Sequence, residues 1–172
     1  FDNSEWSKAR IEGFVNDNNS SNSQINKWII EELLRPDPFD EEEKIPVDWR
    51  FYCFGDEIAL IHCISSPFLG TNTDKKHHYF SPDLRQFQRK ISKSNPVPQD
   101  PIFFPKCFPD MVNKVQEIGK KIKSFMRIDM IATDKGPVFS RFTPLPDDVS
   151  HLSIWADQYL ATFWKGKEGV ED

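Results

Sequence analysis

The stretch VDWRFYCFGDEIALIHCIS, Val47 to Ser65, limits the fold more than any other part of the chain. Two runs rich in β-branched and aromatic residues flank Gly55-Asp56, a pair suited to a tight turn, and predict a β-hairpin from Val47 to Ile64. Alternation sends Phe51 and Cys53 to one face of the sheet and Tyr52 and Phe54 to the other. Both sets are apolar, so both faces must be covered. A sheet with packing on each side is the outcome.

The rest of the chain supplies that packing. Phe125 to Ala132 and Val138 to Phe142 predict a second hairpin around Asp134-Lys135-Gly136, and His77 to Phe80 a short extended piece before the Ser81-Pro82-Asp83 turn. From Pro109 the period changes. Met111, Val115, Ile118 and Ile122 recur at helical spacing, with Asp110 in the first turn and Lys120, Lys121 and Lys123 in the last, as the helix dipole favours. A last helix is expected from Asp147 to Trp164, with Leu152, Trp155, Tyr159 and Phe163 on one stripe, and a first from Ser4 to Val15 with Ser4 as its cap. The polar run NDNNSSNSQ after it offers no reason to fold. Trp28 to Leu34 reads as a strand carrying Glu31 and Glu32, and Arg35 to Pro46 as a solvated, proline-broken loop. Lys93 to Pro109 is expected to be irregular. Helices and antiparallel hairpins in this order define an α+β class.

Composition narrows the function. The chain has 172 residues, enough for one domain core, and fifteen Phe and five Trp to fill it. A net charge of −5 with no basic face argues against a nucleic-acid partner. Lys75-Lys76-His77-His78 is the one dense basic patch, readable as a solvated loop edge or as a contact for an acidic or phosphorylated ligand. No apolar run approaches the length of a membrane span, and no signal-peptide core is present. Cys53, Cys63 and Cys107 form neither a C-x-x-C nor a zinc set, which suits buried thiols in a reducing, cytoplasmic setting.

Acids that interrupt apolar strands are the candidate site. Such a carboxylate costs folding energy unless it is solvated, paired or bound to a cation. Asp129, in FMRIDMI, can pair with Arg127 two residues back on the same strand face, or hold a cation. Asp48 can terminate the first hairpin or face a ligand, and the Glu31-Glu32 pair places one carboxylate on each face of its strand. His62 alternates within a strand and reads as a structural histidine.

In order along the chain, KWIIEELL, IPVDWRFYCFGDEIALIHC, HHYFSPDL and SFMRIDMIATDKGPVFSRFTP resemble the TupA-like branch of the ATP-grasp superfamily over about Trp28 to Trp164. The resemblance implies an antiparallel sheet with packed helices, and a single domain over residues 1–172. In it residues 28–164 form the core, and 1–27 are the remnant of a lid lobe that is missing or truncated. It further implies ATP with magnesium, and carboxylate–amine ligation through an acylphosphate on an acidic small molecule or glycan in cell-surface polysaccharide synthesis. Glu31 and the backbones of Glu32 and Leu34 would hold adenine, Asp48 would lie near the ribose or phosphates, Asp129 would bind magnesium, and Arg127 would steady the transferred group. One departure stands out. Arg141 occupies the place of a metal-bridging glutamate, which reverses the sign of the site and favours the alternative of a degenerate module that binds a nucleotide or a partner protein without turnover.

Overall fold

β1 (Asp48–Phe54) and β2 (Glu57–Ser65) make the hairpin expected from alternation, and Gly55 takes the left-handed φ of 62° that its turn requires. The computed structural model describes residues 7–21, 34–36, 47–65, 75–97, 102–146 and 150–164. The chain divides into a unit of Phe1–Leu33, in which α1 (Lys8–Ser21) lies, and a unit of Leu34–Asp172.

In the larger unit β3 (Lys76–Phe80), α2 (Phe108–Ile122), β4 (Phe125–Thr133), β5 (Gly136–Thr143) and α3 (Ile154–Ala161) follow β2. The five strands form one sheet in the order β3-β2-β1-β4-β5, with every pairing antiparallel. β1 is central and both its faces are buried, as the apolar pattern on each side demands. On one face Trp49, Phe51, Ile61, Ile128 and Met130 pack with Phe108, Met111 and Val115 of α2. On the other, Tyr52, Phe54 and Leu60 pack with Leu152, Ala156 and Leu160. Burying a large aliphatic or aromatic side chain contributes about 1.5–3 kcal/mol, so these two layers dominate the stability of the unit.

Two bulges adjust the alternation. β5 slips against β4 so that Asp129 faces Arg141 while Met130 faces Phe139, leaving Ser140 as the extra residue. Phe139 and Phe142, three apart, thereby meet with ring centroids 4.6 Å apart, and Arg141 faces the side opposite α2. A second slip between Tyr52 and Cys53 leaves Ala59 as the extra residue, so Ile58 and Ile61 both reach the α2 layer.

Several boundaries differ from expectation. α1 begins after Ser7, whose Oγ accepts the Arg10 N–H at 3.3 Å, and it runs through Asn16–Ser21, since extending a formed helix needs only one bond per residue. Ser4 lies outside the described residues. The last helix starts at Ile154, not Asp147, because Ser153 is the extended N-cap accepting the Ala156 N–H and Leu152 bridges Ser92 instead. Of the strand expected over Trp28–Leu34, only Leu34 is described, and it lies in no strand.

Gly119 makes the closest contact between α2 and the sheet. A Cβ there would lie 2.0 Å from the carbonyl oxygen of Gly55, in the β1–β2 turn. Alanine gains about 1 kcal/mol of helix propensity over glycine. A clash with backbone that cannot rotate away costs about 1–3 kcal/mol or more, so it decides the sign. Gly119→Ala is therefore expected to lower the urea midpoint; an unchanged or raised midpoint would show that the helix does not press on the turn.

Candidate functional site

The sheet register assembles a polar row that crosses all five strands on the face opposite α2. Tyr79 on β3 pairs with His62 on β2, His62 with Arg50 on β1, Arg50 with Asp129 on β4, and Asp129 with Arg141 on β5. Directly paired residues in antiparallel strands share a face, which is why side chains so far apart in sequence line up.

Asp129 is the fixed point of this row, with no solvent exposure. Arg127, two residues away on the same face and 5% exposed, holds both its oxygens with one edge: Nε donates to Oδ1 at 2.8 Å and Nη2 to Oδ2 at 2.9 Å. Arg141 Nε donates to Oδ2 at 2.8 Å, and Arg127 Nη2 also donates to Thr143 Oγ1 at 3.2 Å. Asp48, partly exposed at the start of β1, accepts from Arg50 Nε at 2.9 Å. Among the described residues, three guanidinium groups thus face two carboxylates on this part of the sheet.

Toward β3 the row enters a cavity of about 220 Å³. Its floor includes Arg50, His62 and Tyr79, and its sides include His77, Asn95 and His151. Two short segments border it and are tied to each other. The Lys93 N–H donates to the His151 carbonyl and the Ser153 N–H to the Ile91 carbonyl, both at 2.7 Å, while Ser92 Oγ accepts the Ser94 and Asn95 N–H groups. None of the described lining residues is acidic. His62, 2% exposed, shares a hydrogen bond of 3.0 Å with Nδ1 of His77 and stacks on Tyr79 at 4.3 Å between ring centroids. Burial holds its pKa well below the ordinary histidine range, and the positive field of Arg50, His77, Arg127 and His78 lowers it further.

Of the site residues expected from sequence, Arg127 and Asp129 come together as a buried ion pair, with Asp48 two positions along the neighbouring strand from Arg50. Leu34 is half-buried, whereas Glu31 and Glu32 lie outside the described residues. The Lys75–His78 run is not a solvated loop edge. It enters β3, buries His78 and places His77 in the cavity wall, because alternation separates the two imidazoles onto opposite faces. Arg50, His77 and His151 gave little signal as site residues in sequence. Arg50 is marked only by its register with Asp129, and His77 and His151 only by the cavity they line.

The described residues do not suit a magnesium ion. Mg²⁺ asks for several oxygen ligands at about 2.0–2.1 Å. Three of the four lone-pair positions of the Asp129 carboxylate already receive N–H groups. A divalent ion about 4 Å from the Arg141 guanidinium would meet a repulsion of about 8 kcal/mol from it at an effective dielectric near 20. Among the described residues no three His, Cys, Asp or Glu side chains gather into a group able to hold a metal.

An α+β domain built on an antiparallel sheet, apolar and helix-covered on one side and crossed by a charged row on the other, is the class these features define. The family model for TupA-like ATP-grasp matches residues 3–160, and the chain belongs to that family. No curated protein and no solved structure matches it. The family generally uses ATP and magnesium, and among the described residues no helix is long and apolar enough to cross a membrane.

Two stability measurements check this geometry. Asp129→Ala leaves Arg127 buried without its counter-charge and is expected to cost about 3–5 kcal/mol in urea unfolding, whereas Arg141→Ala, at a side chain 57% exposed, should cost less than about 1 kcal/mol. Similar costs for both would contradict the buried pair. His62 supplies the pH dependence. Its folded pKa lies below the unfolded value, so the unfolded state binds more protons as pH drops below about 6.5, and stability present above that pH is lost toward the folded pKa. Between pH 7 and 5 the wild type should lose up to about 1.4 kcal/mol per pH unit more than His62→Asn. Parallel profiles would show that His62 titrates normally.

Proposed function

We propose that this ATP-grasp-type domain binds a nucleotide through its phosphates and does not itself carry out metal-dependent carboxylate–amine ligation. The reading rests on one observation: Arg141 adds a second cation to an Asp129 already paired with Arg127, at the position where catalysis would call for an additional acid. Arg50, Arg127 and Arg141 give the sheet face the positive charge that phosphates favour, since guanidinium forks match phosphate oxygens in pairs. In this reading Glu31, Glu32 and Leu34 hold adenine, and Asp48 orients Arg50 toward the ribose or phosphates.

A second reading is favoured by the cavity at the β3 end of the row. Its volume and its Asn95, His77 and His151 lining suit a small acidic substrate or an acidic sugar, as a ligase of cell-surface polysaccharide synthesis would need. There, magnesium and its remaining ligands would have to come with the nucleotide and with residues outside the described set.

Calorimetric titration with ATP, followed by an assay for ADP, separates the two. The proposal expects a Kd below about 1 mM and no ADP above the buffer rate, with or without added carboxylates and amines. Release of ADP that requires both a carboxylate and an amine would establish the ligase reading instead. Absence of ATP binding would sink both.

A further inference from the structure

Arg141 differs from an ordinary surface arginine in how it is held. More than half of its side chain faces solvent, at 57%, yet its Nε is anchored at 2.8 Å on a carboxylate with no exposure at all. That anchor is itself rigid, because Arg127 clamps both oxygens of Asp129 and Thr143 clamps Arg127. The bulge at Ser140 is what brings Arg141 into register with Asp129, so the placement is built into the backbone of β5. The result is a cation tethered to the central acid of the sheet, with its remaining N–H donors on the exposed side of the group. Among the described strands β5 is the edge of the sheet.

We propose that Arg141 is a built-in counter-cation: it occupies on Asp129 the place a divalent ion would take, so the sheet face binds polyphosphate as the metal-free anion. This rests on the nucleotide-binding reading and adds its ligand class, uncomplexed phosphate groups in place of a magnesium chelate. A guanidinium held by one edge offers its other edge to two phosphate oxygens with little further ordering. Chelation by magnesium removes two negative charges from the ligand, which weakens its attraction to the Arg141 guanidinium.

The test compares ATP and inorganic tripolyphosphate, each titrated by calorimetry in EDTA and in excess magnesium, on wild type, Arg141→Gln and Arg141→Glu. These substitutions lie at an exposed side chain, and thermal melts confirm that the variants fold. The wild type is expected to bind both ligands in EDTA at least as tightly as in magnesium. Arg141→Gln should weaken the metal-free binding by about tenfold, the loss of one charge-assisted contact, and Arg141→Glu should make whatever binding remains dependent on magnesium. If ATP binds the wild type only in magnesium, or if Arg141→Gln binds metal-free ligand as well as the wild type, the counter-cation is refuted while nucleotide binding stands. Tripolyphosphate bound in EDTA through Arg141, with no ATP bound under either condition, upholds the counter-cation and removes the nucleotide.

Discussion

A carboxylate that loses all contact with water must be neutralised where it sits, and Asp129 is such a group in the middle of a five-stranded sheet. Arg127 on the same strand balances its charge, and Arg141 on β5 adds a further donor to the same carboxylate. The pairing of β1 with β4 then sets Arg50 opposite the same acid. The contact of Arg141 with Asp129 favours the register in which β5 bulges at Ser140.

The two faces of the sheet divide the work. On the α2 side, aromatic and aliphatic packing gives the stability, and Gly119 lets the helix approach the turn at Gly55. On the other side α3 seals only part of the face, over Tyr52, Phe54 and Leu60. Polar residues that would be costly in a sealed layer persist where the cover stops: Arg50 and His77 beside a cavity, Arg141 at an edge. The arginines of the row thus lie beside a cavity and at an edge, although the chain as a whole is acidic, at −5.

Local features of the sequence carried much of this structure. Both hairpins follow from turn residues between β-rich runs, and α2 from the spacing of Met111 and Val115. The Arg127–Asp129 pair is legible too, because residues two apart on a strand share a face. Arg141 was harder to place. Its contact with Asp129 depends on a one-residue bulge at Ser140, which costs nothing in local propensity and leaves no pattern to read. The cavity was hidden for a related reason: it needs His62, His77, Asn95 and His151, which only the strand order and the pairing of Ser92 with Leu152 bring together. α3 was overextended toward its start because Leu152 fits a helical stripe, while its backbone is spent on that pairing.

Among the described residues, protein cations balance Asp129. Nitrogen-15 NMR of the arginine Nε–H groups reads this directly, since Arg127 and Arg141 each donate Nε to that carboxylate. Adding magnesium to the protein should leave both signals in place, shifted downfield and slow to exchange with water. If millimolar magnesium moves them and speeds their exchange, the carboxylate has released its arginines to a metal, and the account given for this face of the sheet is wrong.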